Sequence, residues 1–174
     1  MDYRMLRPKD EIRVAGLFSL HYFQFAQGYV FGGERHDFWE MVYIDRGEAE
    51  IGVEKEIHRL GQGQLLFHKP GEFHTIWANY AEGANLFVLS FACKSAAMSE
   101  FRGKQFTLRA EQRQMISRMI AEGRHAFGDV LDISDQKELI PRDNAPRGGT
   151  QMIVLYLTQL LISLLRTSAD ETPL

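Results

Sequence analysis

His36-Asp-Phe-Trp-Glu-Met-Val-Tyr-Ile-Asp-Arg-Gly47, taken with Pro70-Gly-Glu-Phe-His74, decides how this chain is read. A strand sends alternate side chains to opposite faces. Counted from His36, the residues Phe38, Glu40, Val42 and Ile44 share its face, while Trp39, Met41 and Tyr43 take the other. Counted from His74, Ile76 and Ala78 join the first face, and Thr75 and Trp77 lie opposite. Two imidazoles and a carboxylate thus point into an otherwise apolar interior. Such groups are costly to bury unless they are paired, bound to a metal or facing a ligand. The two segments are therefore a site signal as well as a fold signal.

Outward from them, residues 14–91 carry the pattern of strands. Residues 17–25 are rich in aromatics, and residues 40–53 alternate across Arg46-Gly47, which reads as a turn. Glu54-Lys55-Glu56 separates two short apolar runs and predicts a hairpin. Several short strands with turn signals between them indicate an all-β sandwich or barrel. Trp39, Met41, Tyr43 and Trp77 are expected on the outer face, beneath C-terminal helices.

After Cys93 the pattern changes. Thr107 reads as the N-cap of a helix running to about Phe127. Residues 128–149 contain Pro141, Pro146 and two adjacent glycines and read mostly as loop, longer than most connections in a compact domain. A second helix is predicted over residues 150–166. It is apolar round most of its circumference, which requires burial on two sides.

Composition narrows the class. The 174 residues, 45% hydrophobic and 25% charged, suit one ordinary globular domain, alone or with a helical appendage. A net charge of −3 argues against a strong nucleic-acid footprint. No uninterrupted apolar run reaches the roughly 18 residues of a membrane span. The stretch 152–165 comes closest, and Thr158, Gln159 and Ser163 interrupt it. The N-terminus lacks the apolar core of a signal peptide. Cys93 is the single cysteine, so an internal disulfide is impossible and a reducing, cytoplasmic setting is expected. No nucleophile elbow, P-loop or dinucleotide fingerprint occurs.

The two opening segments resemble the first and second motifs of the cupin barrels, with six residues between Glu40 and Gly47 and His74 closing the second. Residues 38–47, 60–74 and 86–91, followed by the helix ending at Arg166, are similar to the sensor half of AraC-type transcriptional regulators. This resemblance covers roughly residues 15–166. It implies a mainly β fold: a double-stranded β-helix (cupin or jelly-roll) barrel followed by two C-terminal α-helices. It divides the chain into an effector-binding barrel with an N-terminal arm at 1–94, a helical dimerisation region at 95–168, and the start of a linker at 169–174. It also implies a small-molecule effector, a homodimer, and DNA contact only through a C-terminal pair of helix-turn-helix motifs outside these 174 residues. No membrane role and no enzymatic activity are expected.

The candidate effector-binding residues are His36, Glu40, His74, Phe38 and Glu34, with Glu40 the strongest because an isolated carboxylate on an apolar face demands a partner. Ile153, Leu157, Leu160, Leu161 and Leu164 are the candidate dimer contact. The chain departs from the cupin pattern at Glu34, where the first histidine would sit, and at Gln64, where an acidic residue is often found. No cofactor is expected on the favoured reading. The alternative is a stand-alone metal-dependent cupin enzyme, an isomerase or dioxygenase, with Glu34, His36, Glu40 and His74 holding a divalent ion; two imidazoles with carboxylates on one face suit Fe(II) and related metals. His58 and His68 are weaker pocket candidates; His21 sits on an early strand that could reach the barrel mouth, and the favoured reading for it is a surface or otherwise satisfied histidine. Cys93 reads as a buried structural thiol.

Overall fold

The computed structural model describes residues 2–78, 80 and 82–170. Its strands are β1 (Val14–Phe25), β2 (Tyr29–Glu34), β3 (Trp39–Val53), β4 (Glu56–Gly61), β5 (Gln64–His68), β6 (His74–Ala78), β7 (Ala84–Cys93) and β8 (Gln105–Thr107). Its helices are α1 (Ala110–Phe127) and α2 (Gly149–Asp170), with short 3₁₀ turns at Ala96–Phe101 and Asp129–Asp132. The fold is the expected one: antiparallel strands in a cupin-type double-stranded β-helix, then two C-terminal helices.

β3 organises the barrel because it belongs to two sheets. Its first half pairs with β7 on one side and β5 on the other, within the order β1-β7-β3-β5-β8. Its second half pairs with β4 and β6, and β6 continues to β2. The change of sheet falls at Arg46-Gly47. That dipeptide is therefore not the turn its sequence suggests but an irregularity between Ile44 and Arg46 that bends one continuous strand. Such bulges re-aim strands at barrel corners. Gly47 has φ 73°, and a Cβ there would collide with the Gly83 carbonyl. Gly47→Ala is expected to cost at least about 1–2 kcal/mol from the left-handed backbone alone, read as a lower urea midpoint. An unchanged midpoint would contradict the bend. The predicted hairpin is present between β3 and β4, with Glu54 at φ 52° in its turn.

The period-2 reading of β3 holds on both faces. Val42 and Ile44 enter the barrel interior with Ile51, Leu66, Ile76 and Leu86. Trp39, Met41 and Tyr43 enter a second core between the outer face of the first sheet and the helices. Trp77 departs from the expectation. It sits in β6 of the other sheet, outside the helix-covered core, over the space that Gly52 leaves by having no side chain.

Two boundaries also move. Thr107 ends β8, where its hydroxyl accepts from the Gln64 amide, and the helix cap is Arg109, whose backbone N–H donates to the Gln112 side chain at 2.9 Å. β8 pairs with β5, so strand structure continues past residue 94. In the connection between the helices only the turn at Asp129–Asp132 is regular, and Arg142 ties the rest down by donating to the His125 carbonyl at 2.9 Å.

α2 corrects a functional expectation. Ile153, Leu157, Leu160, Leu161 and Leu164 are 0–1% exposed and belong to the chain's own core, with Met119 of α1 and Phe91 of β7. One side of the helix covers the barrel and another meets α1, so the wide apolar face is satisfied within one chain. These five residues cannot form a dimer contact. The segment Gly149–Thr167 is long and apolar enough to cross a membrane by length and composition, but its buried leucines are engaged in this core. α2 runs through residue 170, and residues 171–174 of the expected linker lie outside the described residues.

Candidate functional site

Strand register builds the site. Glu40 on β3 lies between Ser90 of β7 and His68 of β5, so all three side chains emerge on the interior face. His74, first residue of β6, pairs with Glu34 of β2 and Val53 of β3. His36 sits in the connection between β2 and β3, and its carbonyl accepts from the Gly71 N–H at 2.7 Å. That bond joins the two segments quoted at the outset. Four of the five candidate site residues, Glu34, His36, Glu40 and His74, thus converge: one donor atom from each lies within 4.8 Å of the others. Phe38, the fifth, stacks on the His36 ring at 3.9 Å between centroids.

The histidines are oriented by the backbone. His36 Nδ1 lies 3.0 Å from the Phe38 carbonyl and His74 Nδ1 lies 3.1 Å from the Glu72 carbonyl. Carbonyls only accept, so both Nδ1 atoms are donors and both Nε2 atoms turn inward. His36 Nε2 lies 3.4 Å from one Glu40 oxygen and His74 Nε2 3.3 Å from the other, yet neither has a well-aligned hydrogen-bond partner. Glu40, 5% exposed, accepts from the Ser90 hydroxyl at 2.8 Å, and Ser90 accepts from Ser19 at 2.8 Å. Glu34 is half exposed, 3.8 Å from His74.

The electrostatics follow from these distances. Burial pushes the Glu40 carboxyl up, but His36 and His74 at its oxygens and the charges of His74 and His68 outweigh this and hold it well below the usual carboxylate range. Burial pulls His74 down, but the carboxylates of Glu34 and Glu40 overcome that and push it up to about 10. His68 and His21 are lowered, chiefly by burial. A raised imidazole stabilises the fold fully below its unfolded value of 6.5, and this contribution is lost as pH rises through about 10. Lowered imidazoles act oppositely, losing stability as pH falls below 6.5. The chelator-treated protein should therefore be most stable near neutral pH. Thermal melts should fall towards pH 10, and His74→Asn should flatten that alkaline limb. A limb of equal slope in the variant would contradict the assignment.

The donor set fits a divalent cation. Ligands about 2.1 Å from one ion stand roughly 3.0–3.5 Å apart, and the His36–Glu40 and His74–Glu40 separations are 3.4 and 3.3 Å. Histidine ligands usually donate their second nitrogen to a carbonyl or carboxylate, as both do here. Glu34 in place of a histidine makes the set richer in oxygen.

Beside these groups opens a cavity of about 400 Å³ that reaches Glu34, His36, Phe38 and Glu40. Sequence reading missed Phe23, Phe25 and a loop on its wall and favoured another role for His21. His21, Phe23 and Phe25 share the interior face of β1, and residues 134–137 border the cavity from the connection between the helices. The β1 signal was present as alternation, His21-Tyr-Phe23-Gln-Phe25; no sequence pattern marks the loop. His21 is not a surface histidine: it is 6% exposed, with Nδ1 lacking a partner. His68 is fully buried behind the cavity, its ring stacked 4.1 Å from His74 and Nδ1 3.5 Å from Glu72. His58 lies near Glu56 on β4, outside the cavity lining.

A bent strand shared by two antiparallel sheets, with carboxylates and imidazoles gathered at one mouth of the barrel, defines a cupin-type domain. The sequence matches the model of the AraC-like ligand binding domain over residues 19–139, and the chain belongs to that family. Among solved structures it is similar to a RmlC-like cupin family protein with a double-stranded β-helix fold from Methanocaldococcus jannaschii (13% identity, 53% of this chain and 90% of that one, TM-score 0.42). It is also similar to a cupin superfamily protein from Desulfitobacterium hafniense (18% identity, 50% and 72%, TM-score 0.39). A third, the DMSP lyase of Ruegeria pomeroyi, shares 24% identity over 50% of this chain and 40% of its own, with a TM-score of 0.37. No curated protein matches the sequence.

Proposed function

We propose that this domain is the effector sensor of a transcription regulator of the AraC type. A small molecule enters the barrel cavity, and its unequal affinity for two arrangements of barrel and helices shifts their populations. DNA contact falls to helix-turn-helix motifs outside these 174 residues. The observation that carries the reading is the cavity itself: about 400 Å³, apolar along most of its wall, with the buried Glu40 carboxylate and the imidazoles of His21 and His36 on its lining. Ligand sites combine an apolar concavity with a few convergent polar groups in this way. A homodimer belongs to the same reading, but its contact must lie outside the five buried residues of α2, for instance at Leu155, which is 51% exposed. The setting is cytoplasmic.

A thermal-shift screen of small molecules, run in EDTA, tests this. Compounds that raise the melting temperature without metal support the sensor; a protein that answers to no compound until a metal is restored points elsewhere.

The donor set favours one second reading, a metal-dependent cupin enzyme. There Glu34, His36, Glu40 and His74 would hold a divalent ion, which would act as a Lewis acid. It predicts one metal per chain after purification, measured by elemental analysis and abolished by His74→Ala. Metal-free protein that still binds its ligand removes this reading.

A further inference from the structure

The cavity wall carries more information than the existence of a site. Two runs of stacked rings line it. In the first, Phe18 stacks on Phe38 at 4.1 Å between centroids with planes 17° apart, and Phe38 stacks on His36. In the second, Phe23, Phe25 and Tyr29 stack at 5.0 and 3.8 Å, with His21 joining at 4.9 Å. Phe31, Ile76 and Val88 complete the apolar surface. Carbon makes up most of the accessible wall, which suits an apolar ligand body better than a polyhydroxylated one. An aromatic ligand would pack against these rings in the edge-to-face or offset arrangements that aromatic pairs prefer.

The charged groups on the lining are unequal in sign. Glu34, Glu40 and Asp135 border the cavity, against Lys137 as the one lysine or arginine on the lining; Glu34, Asp135 and Lys137 are exposed. His74 stands behind Glu40 and offsets that carboxylate; Glu34 and Asp135 still outnumber Lys137. An independent observation points the same way. His21 is 6% exposed, borders the cavity, and its Nδ1 has no partner. Burial lowers its affinity for a proton, so this nitrogen can accept a hydrogen bond from a ligand donor. Carboxylates beside ring faces are the recognised chemistry for ammonium groups.

From this we infer that the effector is a small aromatic amine, its ring among the stacked rings of β1 and Phe38 and its ammonium directed at Glu34 and Glu40, with Asp135 adding negative charge to the same cavity wall. The inference rests on the sensor reading and specifies its ligand class. In this arrangement His21 Nδ1 supplies a third acceptor for the ammonium hydrogens.

Isothermal titration of the 174-residue chain, with EDTA present, tests it with four probes. 2-Phenylethylamine carries ring and cation; 3-phenylpropionate keeps the ring and reverses the charge; n-butylamine keeps the cation without the ring; xylose stands for sugars. Binding of 2-phenylethylamine at least about tenfold tighter than the other three supports the class. Glu34→Gln, at a half-exposed position whose replacement should not disturb folding, should weaken that binding about tenfold or more, as expected for a lost charge-assisted hydrogen bond. Asp135→Asn should weaken it in the same direction. Equal or tighter binding of 3-phenylpropionate or xylose overturns the amine and leaves the sensor standing with another ligand. Unchanged 2-phenylethylamine affinity in both variants overturns the placement of the ammonium. No heat from any probe, while other molecules stabilise the protein in a thermal screen, overturns the class alone; silence in that screen as well removes the sensor reading with it.

Discussion

Leu157→Asp is expected to unfold the domain, not to yield a folded monomer. Leu157 is fully buried, in one core with the outer face of the first sheet and with α1. Losing a buried leucine side chain costs about 2–5 kcal/mol through lost transfer and the cavity left behind. Burying an unpaired carboxylate adds several more. The sum approaches the whole stability of an ordinary domain, about 5–15 kcal/mol. Circular dichroism should show loss of cooperative melting at 25 °C, and Leu157→Ala should retain it at reduced temperature. Leu155→Asp is the control, because Leu155 is 51% exposed on the same helix; it should leave the fold intact. If Leu157→Asp instead gave a well-folded species with native melting, the leucines would belong to a contact between chains and the intramolecular core would be wrong.

Glu40→Ala carries the second large effect. The carboxylate sits within 3.4 Å of both imidazole Nε2 atoms and accepts from Ser90. Its removal leaves His74, 1% exposed, without the nearer of its two counter-charges, and leaves the Ser90 hydroxyl without its acceptor. Removing one partner from a buried ion pair costs about 3–5 kcal/mol. His74 should then titrate far below about 10, so the alkaline loss of stability should shrink together with the melting temperature. Glu40→Gln keeps the shape and an acceptor oxygen; it should melt closer to the wild type and lose most of its ligand affinity. A Glu40→Ala protein as stable as the parent would mean that the carboxylate is solvated and the network is not a unit.

What the sequence disclosed and what it hid have physical causes. Alternation from His36 through Ile44 placed each β3 side chain on the correct face, because the strand has one interior for the whole run. The same alternation in His21-Tyr-Phe23-Gln-Phe25 went unread: both faces of β1 are apolar, one towards the cavity and one towards the helices, so hydrophobicity alone does not separate them. Arg46-Gly47 looked like a turn because glycine at positive φ serves turns and bulges alike; only pairing with β7, β4 and β6 distinguishes the two. The apolar circumference of α2 correctly announced two buried sides. It could not announce whose surface buried them, since a partner chain and α1 present the same chemistry to a leucine. Residues 134–137 reach the cavity through the path of a long loop, which carries no periodicity to read.

The most direct test is a crystal structure of the chain with the strongest compound from a metal-free binding screen. The account predicts density for that compound inside the barrel, in contact with Glu40, Ser90 and the rings of Phe23 and Phe38, with His36 and His74 in their present orientations. Density on the outer face of the helices, with the barrel cavity filled only by water, would contradict it.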